Sequence, residues 1–92
     1  MIDLTVESAA GSASGYTKIT VTPELTEGNS YKYKVAGNPT IPEAGATCTT
    51  GYTAWDGTSE IQAATGQKIV VVEVDASNKC VGAGEAVVTS AE

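Results

Sequence analysis

General acid–base and nucleophilic catalysis draw most often on histidine, and this 92-residue chain contains none. Without it, a hydroxyl nucleophile would need a lysine as its base. Nothing in the surroundings of Ser30, Ser59, Ser77 or Ser90 singles out such a pair. Two carboxylate pairs have spacings that could serve glycoside chemistry. Asp56 and Glu60 lie four residues apart across an Asp-Gly turn, and Glu73 and Asp75 share one face of a strand. Both pairs also have plain structural readings. Asp56 suits its turn, while Glu73 and Asp75 suit a solvated face leading into a hairpin. The stretch Asp75, Ser77, Asn78 has the oxygens of a cation loop but not the central glycine and final glutamate of a calcium-binding hand. Gly82 and Gly84 fall within a strand rather than ahead of a helix, which is the wrong setting for a phosphate cradle. The expectation is therefore no enzyme, no catalytic residue, no metal and no cofactor.

Two further groups of residues carry chemistry of a quieter kind. Cys48 and Cys80 are the two cysteines. They read either as a cross-sheet disulfide or as two buried thiols, and both readings stay open. Two cysteines without histidine do not make a zinc site. Tyr31, Tyr33, Tyr52 and Trp55 supply the large rings. Rings of this kind either fill a sandwich core or stack on sugars. Tyr31, Tyr52 and Trp55 are the candidate ligand or interface aromatics.

The elements that must position these residues are strands. Phenylalanine is absent, and the apolar mass comes from valine, alanine and isoleucine beside many threonines. Branched side chains of this type pack well on a pleated surface. Residues 2–7 alternate, with Ile2, Leu4 and Val6 facing inward. Residues 8–15 are small and polar, a flexible loop or linker. Residues 16–22 form a second strand with Ile19 and Val21 inward, and Pro23 ends it. Residues 31–35 alternate most clearly. Tyr31, Tyr33 and Val35 share one face, and Lys32 and Lys34 share the other, where they discourage edge pairing. Residues 38–46 hold two prolines and a glycine and read as a loop or sheet edge.

Residues 47–53 and 58–63 read as short strands, separated by the Asp56-Gly57 turn. Residues 68–75 are nearly continuous in apolar character, as expected of a central strand covered on both faces for part of its length. Residues 75–79 turn the chain, and residues 80–89 return it, with Gly82 and Gly84 permitting a bulge or a close backbone approach. About seven short antiparallel strands at this spacing predict an all-β chain, an immunoglobulin-like β-sandwich forming one domain over residues 1–92. Its core is expected to hold Leu4, Val6, Ile19, Val21, Tyr33, Val35, Ile61, Val70, Val72 and Val74.

Charge narrows the partners. The net charge is −6, and the five cations are scattered lysines. Nucleic acids and anionic membranes both require clustered cations, so neither is an expected partner. No stretch is long and apolar enough to span a bilayer as a helix. The first residues also lack the basic-then-apolar pattern of a signal peptide.

The segments at 30–35, 54–58, 69–75 and 79–88 together resemble the small immunoglobulin-like modules of phage structural proteins, of the head-fibre and capsid-decoration type. Similar modules occur in bacterial surface proteins. The resemblance implies a non-enzymatic decoration module on a phage virion, at the capsid or head fibre. Its partners would be other virion proteins and copies of itself, with weak adhesion to host-surface glycans. The alternatives are a stalk or adhesin module of a bacterial surface protein, displayed or secreted, and a carbohydrate-binding module.

Overall fold

The structure, a computed structural model, describes residues 2–22, 27–37, 39, 41–43, 45–48, 52–57 and 59–91. Eight strands are present among them: β1 (Ile2–Asp3), β2 (Thr5–Ala10), β3 (Tyr16–Thr22), β4 (Ser30–Ala36), β5 (Thr53–Trp55), β6 (Ile61–Gln62), β7 (Lys68–Val74) and β8 (Cys80–Val87). They form a five-stranded sheet in the order β1-β8-β7-β4-β5 and a three-stranded sheet in the order β2-β3-β6. This is the expected all-β sandwich. Every pairing is antiparallel except that of β1 with β8. Strands β1 and β2 are one stretch interrupted at Leu4, so seven strand-forming stretches supply the eight strands.

That interruption departs from the single alternating strand expected over residues 2–7. Ile2 and Asp3 pair with Gly82 and Ala83 in the larger sheet. The Leu4 amide still donates to the Ala83 carbonyl at 3.0 Å. From Thr5 onward the chain pairs with β3 in the smaller sheet. The first stretch thus belongs to both sheets and stitches them along one side. Leu4 and Val6 are buried, as expected. The small residues at 8–15 are not a linker. Residues 8–10 continue β2, and residues 11–15 turn directly into β3, closed by a Gly11 amide bond to the Tyr16 carbonyl at 2.9 Å.

Strand β7 is central, flanked by β8 and β4, and Ile69 to Val74 are all buried. Its two faces serve different cores. Ile69 and Val71 join Leu4, Val6, Ile19, Tyr31, Trp55, Ile61, Ala63 and Val88 between the sheets, with Val21, Tyr33 and Val35 packed at the margin. Val70, Val72 and Val74 point the other way and cluster with Cys48, Cys80 and Ala83, beneath Ala46 and Tyr52. These three valines are core residues, as expected, but of a second layer rather than of the space between the sheets. Tyr31, Trp55, Ile69, Val71 and Val88, outside the expected core, are buried as well.

The middle of the chain is less regular than expected. Thr47 makes an isolated bridge to Lys79, and residues 49–51 of the expected 47–53 strand lie outside the described residues. The regular strand is instead Thr53–Trp55, on the edge beyond β4. Lys32 therefore does not guard an edge, because β4 is paired on both sides from Tyr31 to Tyr33, while Lys34 lies just beyond the β5 pairing. The expected 58–63 strand shortens to Ile61–Gln62, and Thr58, like Pro23, lies outside the described residues. The two tight turns are as expected. Gly57 has φ of 88°. The 75–79 turn closes with the Asp75 amide donating to the Lys79 carbonyl at 3.0 Å. A register shift at Glu73/Val74, opposite the start of β8, supplies the expected bulge.

Candidate functional site

Tyr31 and Trp55 face each other across the β4–β5 pair, with ring centroids 5.6 Å apart and planes tilted by 41°. Both lie in the core between the sheets. The Trp55 Nε1–H donates to the Ser59 carbonyl at 2.9 Å, so its polar edge is satisfied inside the fold. Both rings are largely buried, at 7% and 9% exposed. Tyr52 stands apart from them on the opposite side of the sheet, packed against the cysteine cluster. Burial pushes its hydroxyl above the ordinary tyrosine value, with the nearby Cys48 and Cys80 adding to the effect. The three candidate aromatics therefore do not converge on one surface.

An open groove is lined by Ser30, Tyr31, Tyr33, Trp55, Asp56 and Glu60. Its two carboxylates already have partners. Asp56 accepts from the Ser59 amide at 2.7 Å and the Ser59 hydroxyl at 2.6 Å, which fixes the turn at Gly57. Glu60 reaches the β2–β3 turn, where it accepts from the Ser12 amide and the Ser12 hydroxyl, both at 2.7 Å. Those two bonds hold the Glu60 carboxyl below its ordinary value. The pair is thus spent on two different turns.

The members of the second carboxylate pair lie in different settings, one in a turn and one in the core. Asp75 caps the β7–β8 hairpin, accepting from the Ser77 amide at 2.9 Å and the Lys79 amide at 3.0 Å. This local Asx geometry accounts for the oxygens that read as a cation loop. Glu73 overturns the expectation of a solvated face, because it is fully buried. It follows Ile69 and Val71 on the inner face, opposite Tyr31. Its Oε2 accepts from Asn29 Nδ2 at 2.7 Å, and its Oε1 has no hydrogen-bond partner among the described residues. No group of three or more histidine, cysteine or acidic side chains able to hold a metal is present among the described residues.

The cysteines lie together at the other face. Cys48 and Cys80 are in the thiol form, both buried, in the cluster that covers the outer side of β7. Burial raises the Cys48 thiol above its ordinary value, and the nearby Cys80 adds to the shift. The sequence carried one sign of this second layer. The apolar run at 69–72 and Val74 needs cover on both faces, and only one of them can belong to the space between the sheets.

The path of the chain sets where its two ends lie. Strand β1 starts beside Gly82, near the beginning of β8, and runs parallel to it. Farther along, the Thr89 amide donates to Ser8 Oγ at 2.8 Å. Ala91 is fastened to the β2–β3 turn by bonds with Gly15 at 2.8 Å and Tyr16 at 2.9 Å. The chain thus enters at one end of the sandwich and leaves at the opposite end.

Residues 9–91 match the family described as S-layer protein SbsC C-terminal domain. A solved structure of surface layer protein SbsC, domains 4–9, is similar at a TM-score of 0.75 and 31% sequence identity. The similarity covers 91% of this chain and 14% of that one. No curated protein matches significantly.

Proposed function

Since the chain belongs to the S-layer protein SbsC C-terminal domain family, we propose that it is a non-enzymatic structural module of a bacterial surface layer, working at the cell surface. The observation that carries this reading is the family match across residues 9–91. It favours the bacterial surface module over the virion module that the sequence resemblance brought forward, and no comparison points to a phage particle. The buried positions of Tyr31 and Trp55 likewise give a carbohydrate-binding module little support.

The geometry suits this work. A module whose chain enters and leaves at opposite ends can be joined to others in series without folding back on its neighbours. The SbsC structure comprises domains 4–9, and this chain matches a share of it about the size of one such domain. The partners on this reading are neighbouring modules of the same surface protein. The acidic, lysine-poor surface keeps the module soluble and away from anionic polymers.

Antibodies raised against the 92-residue chain are expected to label intact, unpermeabilised cells of the source organism. Labelling that appears only after permeabilisation would contradict the surface reading.

A further inference from the structure

We propose that Cys48 and Cys80 form a redox pair, and that an intramolecular disulfide between them staples residues 45–48 across the outer face of the five-stranded sheet. The two cysteines flank one backbone bridge, Thr47 to Lys79. The Cys48 amide donates to the Asn78 carbonyl at 2.8 Å, and the Cys80 amide donates to the Ala46 carbonyl at 2.7 Å. Side chains alternate across a ladder, so Thr47 and Lys79 face water while both cysteines turn inward. They are 0% and 1% exposed and belong to the same six-residue apolar cluster. Each sulfur donates to a backbone carbonyl, Cys48 Sγ to Ala46 at 3.8 Å and Cys80 Sγ to Gly82 at 3.3 Å. The two thiols are near enough for each other's charge to be felt, and Cys80 helps burial raise the Cys48 thiol above its ordinary value.

Among the described residues, the backbone bonds that join residues 45–48 to the β7–β8 hairpin are those around the one bridge and one from Gly45 to Cys80, and the segment covers Val70, Val72 and Val74. Lys79 adds one side-chain bond, from Nζ to Thr47 Oγ1 at 2.7 Å. A covalent link from Cys48 to the first residue of β8 would tie this cover to the centre of the sheet.

The oxidant is an external low-molecular-weight disulfide. One cysteine loses its proton and attacks that disulfide, forming a mixed disulfide and releasing one thiol. The second cysteine then attacks the protein sulfur of the mixed disulfide and releases the other thiol. Two S–H bonds are lost and one S–S bond forms in the protein. The two electrons and two protons leave on the reduced external pair. Because both sulfurs are buried, exchange requires transient lifting of residues 45–48. The pairing depends only on this geometry and is independent of where the module works.

The test uses the full 92-residue chain, purified reduced and treated with excess oxidised glutathione just below its melting temperature. The products are denatured and alkylated with iodoacetamide. The expected product is a monomer without alkylatable thiols that regains both after dithiothreitol. Its thermal midpoint should exceed that of the reduced chain by about 10 °C, because the link constrains the unfolded state. The increment should vanish in Cys48→Ala. Two alkylatable thiols after oxidation, a stable glutathione adduct, a disulfide-linked dimer, or a midpoint no higher than that of the reduced chain would each overturn the proposal.

Discussion

Val72→Asp is expected to leave the chain unfolded at 25 °C. Val72 is fully buried on the central strand, in the cluster with Cys48, Cys80 and Ala83. Losing the buried valine forfeits about 1.5–3 kcal/mol of apolar transfer energy. The carboxylate that replaces it lies under residues 45–48, where desolvation of an unpaired charge costs several kcal/mol more. Lys32 stands opposite Val72 in the register of β4 and offers some relief at the margin. At about 0.05–0.1 kcal/mol per residue a domain this size is stable by roughly 5–9 kcal/mol, which the combined loss cancels. Far-UV circular dichroism and a thermal melt check the result. A cooperative melt near that of the unsubstituted chain would show that the outer layer does not bury this strand.

The second large effect is expected at Gly84. An added β-carbon there would run into the Leu4 carbonyl oxygen, and would also meet the Leu4 carbonyl carbon at 2.9 Å and Val6 Cγ2 at 3.0 Å. The obstructing group is mostly backbone, so no rotamer change relieves it. Gly84→Ala must push the Leu4 crossing away from β8, at the expense of the Leu4 amide bond to Ala83. Overpacking a fixed site in this way costs about 3 kcal/mol. For a domain this size the thermal midpoint should fall by more than about 10 °C. Hydrogen exchange at the Leu4 amide should accelerate more than exchange at the centre of β7. A midpoint within a few degrees of the parent would mean that β1 and β2 are not stitched to β8 as described.

The two predictions also mark what the sequence could and could not show. The faces of β4 were legible because Tyr31, Tyr33 and Val35 alternate with two lysines. The turns at Gly57 and at 75–79 were legible because their residues favour local geometry without regard to the rest of the chain. The position of β7 was legible in outline, since a strand apolar on both faces must be covered on both. What covers each face was not, because that depends on contacts distant in sequence, such as residues 46–48 meeting Cys80. Glu73 was misread for a related reason. A lone carboxylate at the end of an apolar run has the pattern of a strand emerging into water, whereas Asn29, far away in sequence, receives it inside. The Leu4 crossing was hidden as well, because alternation continues unbroken through residues 2–7 while the hydrogen-bonding partner changes sheets. Tyr31 and Trp55 carried no spacing signal for their mutual packing, which depends on the pairing of β4 with β5.

The central claim is that this sandwich is a link whose chain enters at one end and leaves at the other. Solution X-ray scattering from two copies fused directly, the last residue of one to the first of the next, tests it most directly. The account predicts a rod whose maximum dimension approaches twice the 37 Å long dimension of one copy. A compact particle with the two copies side by side, scarcely longer than one, would contradict it.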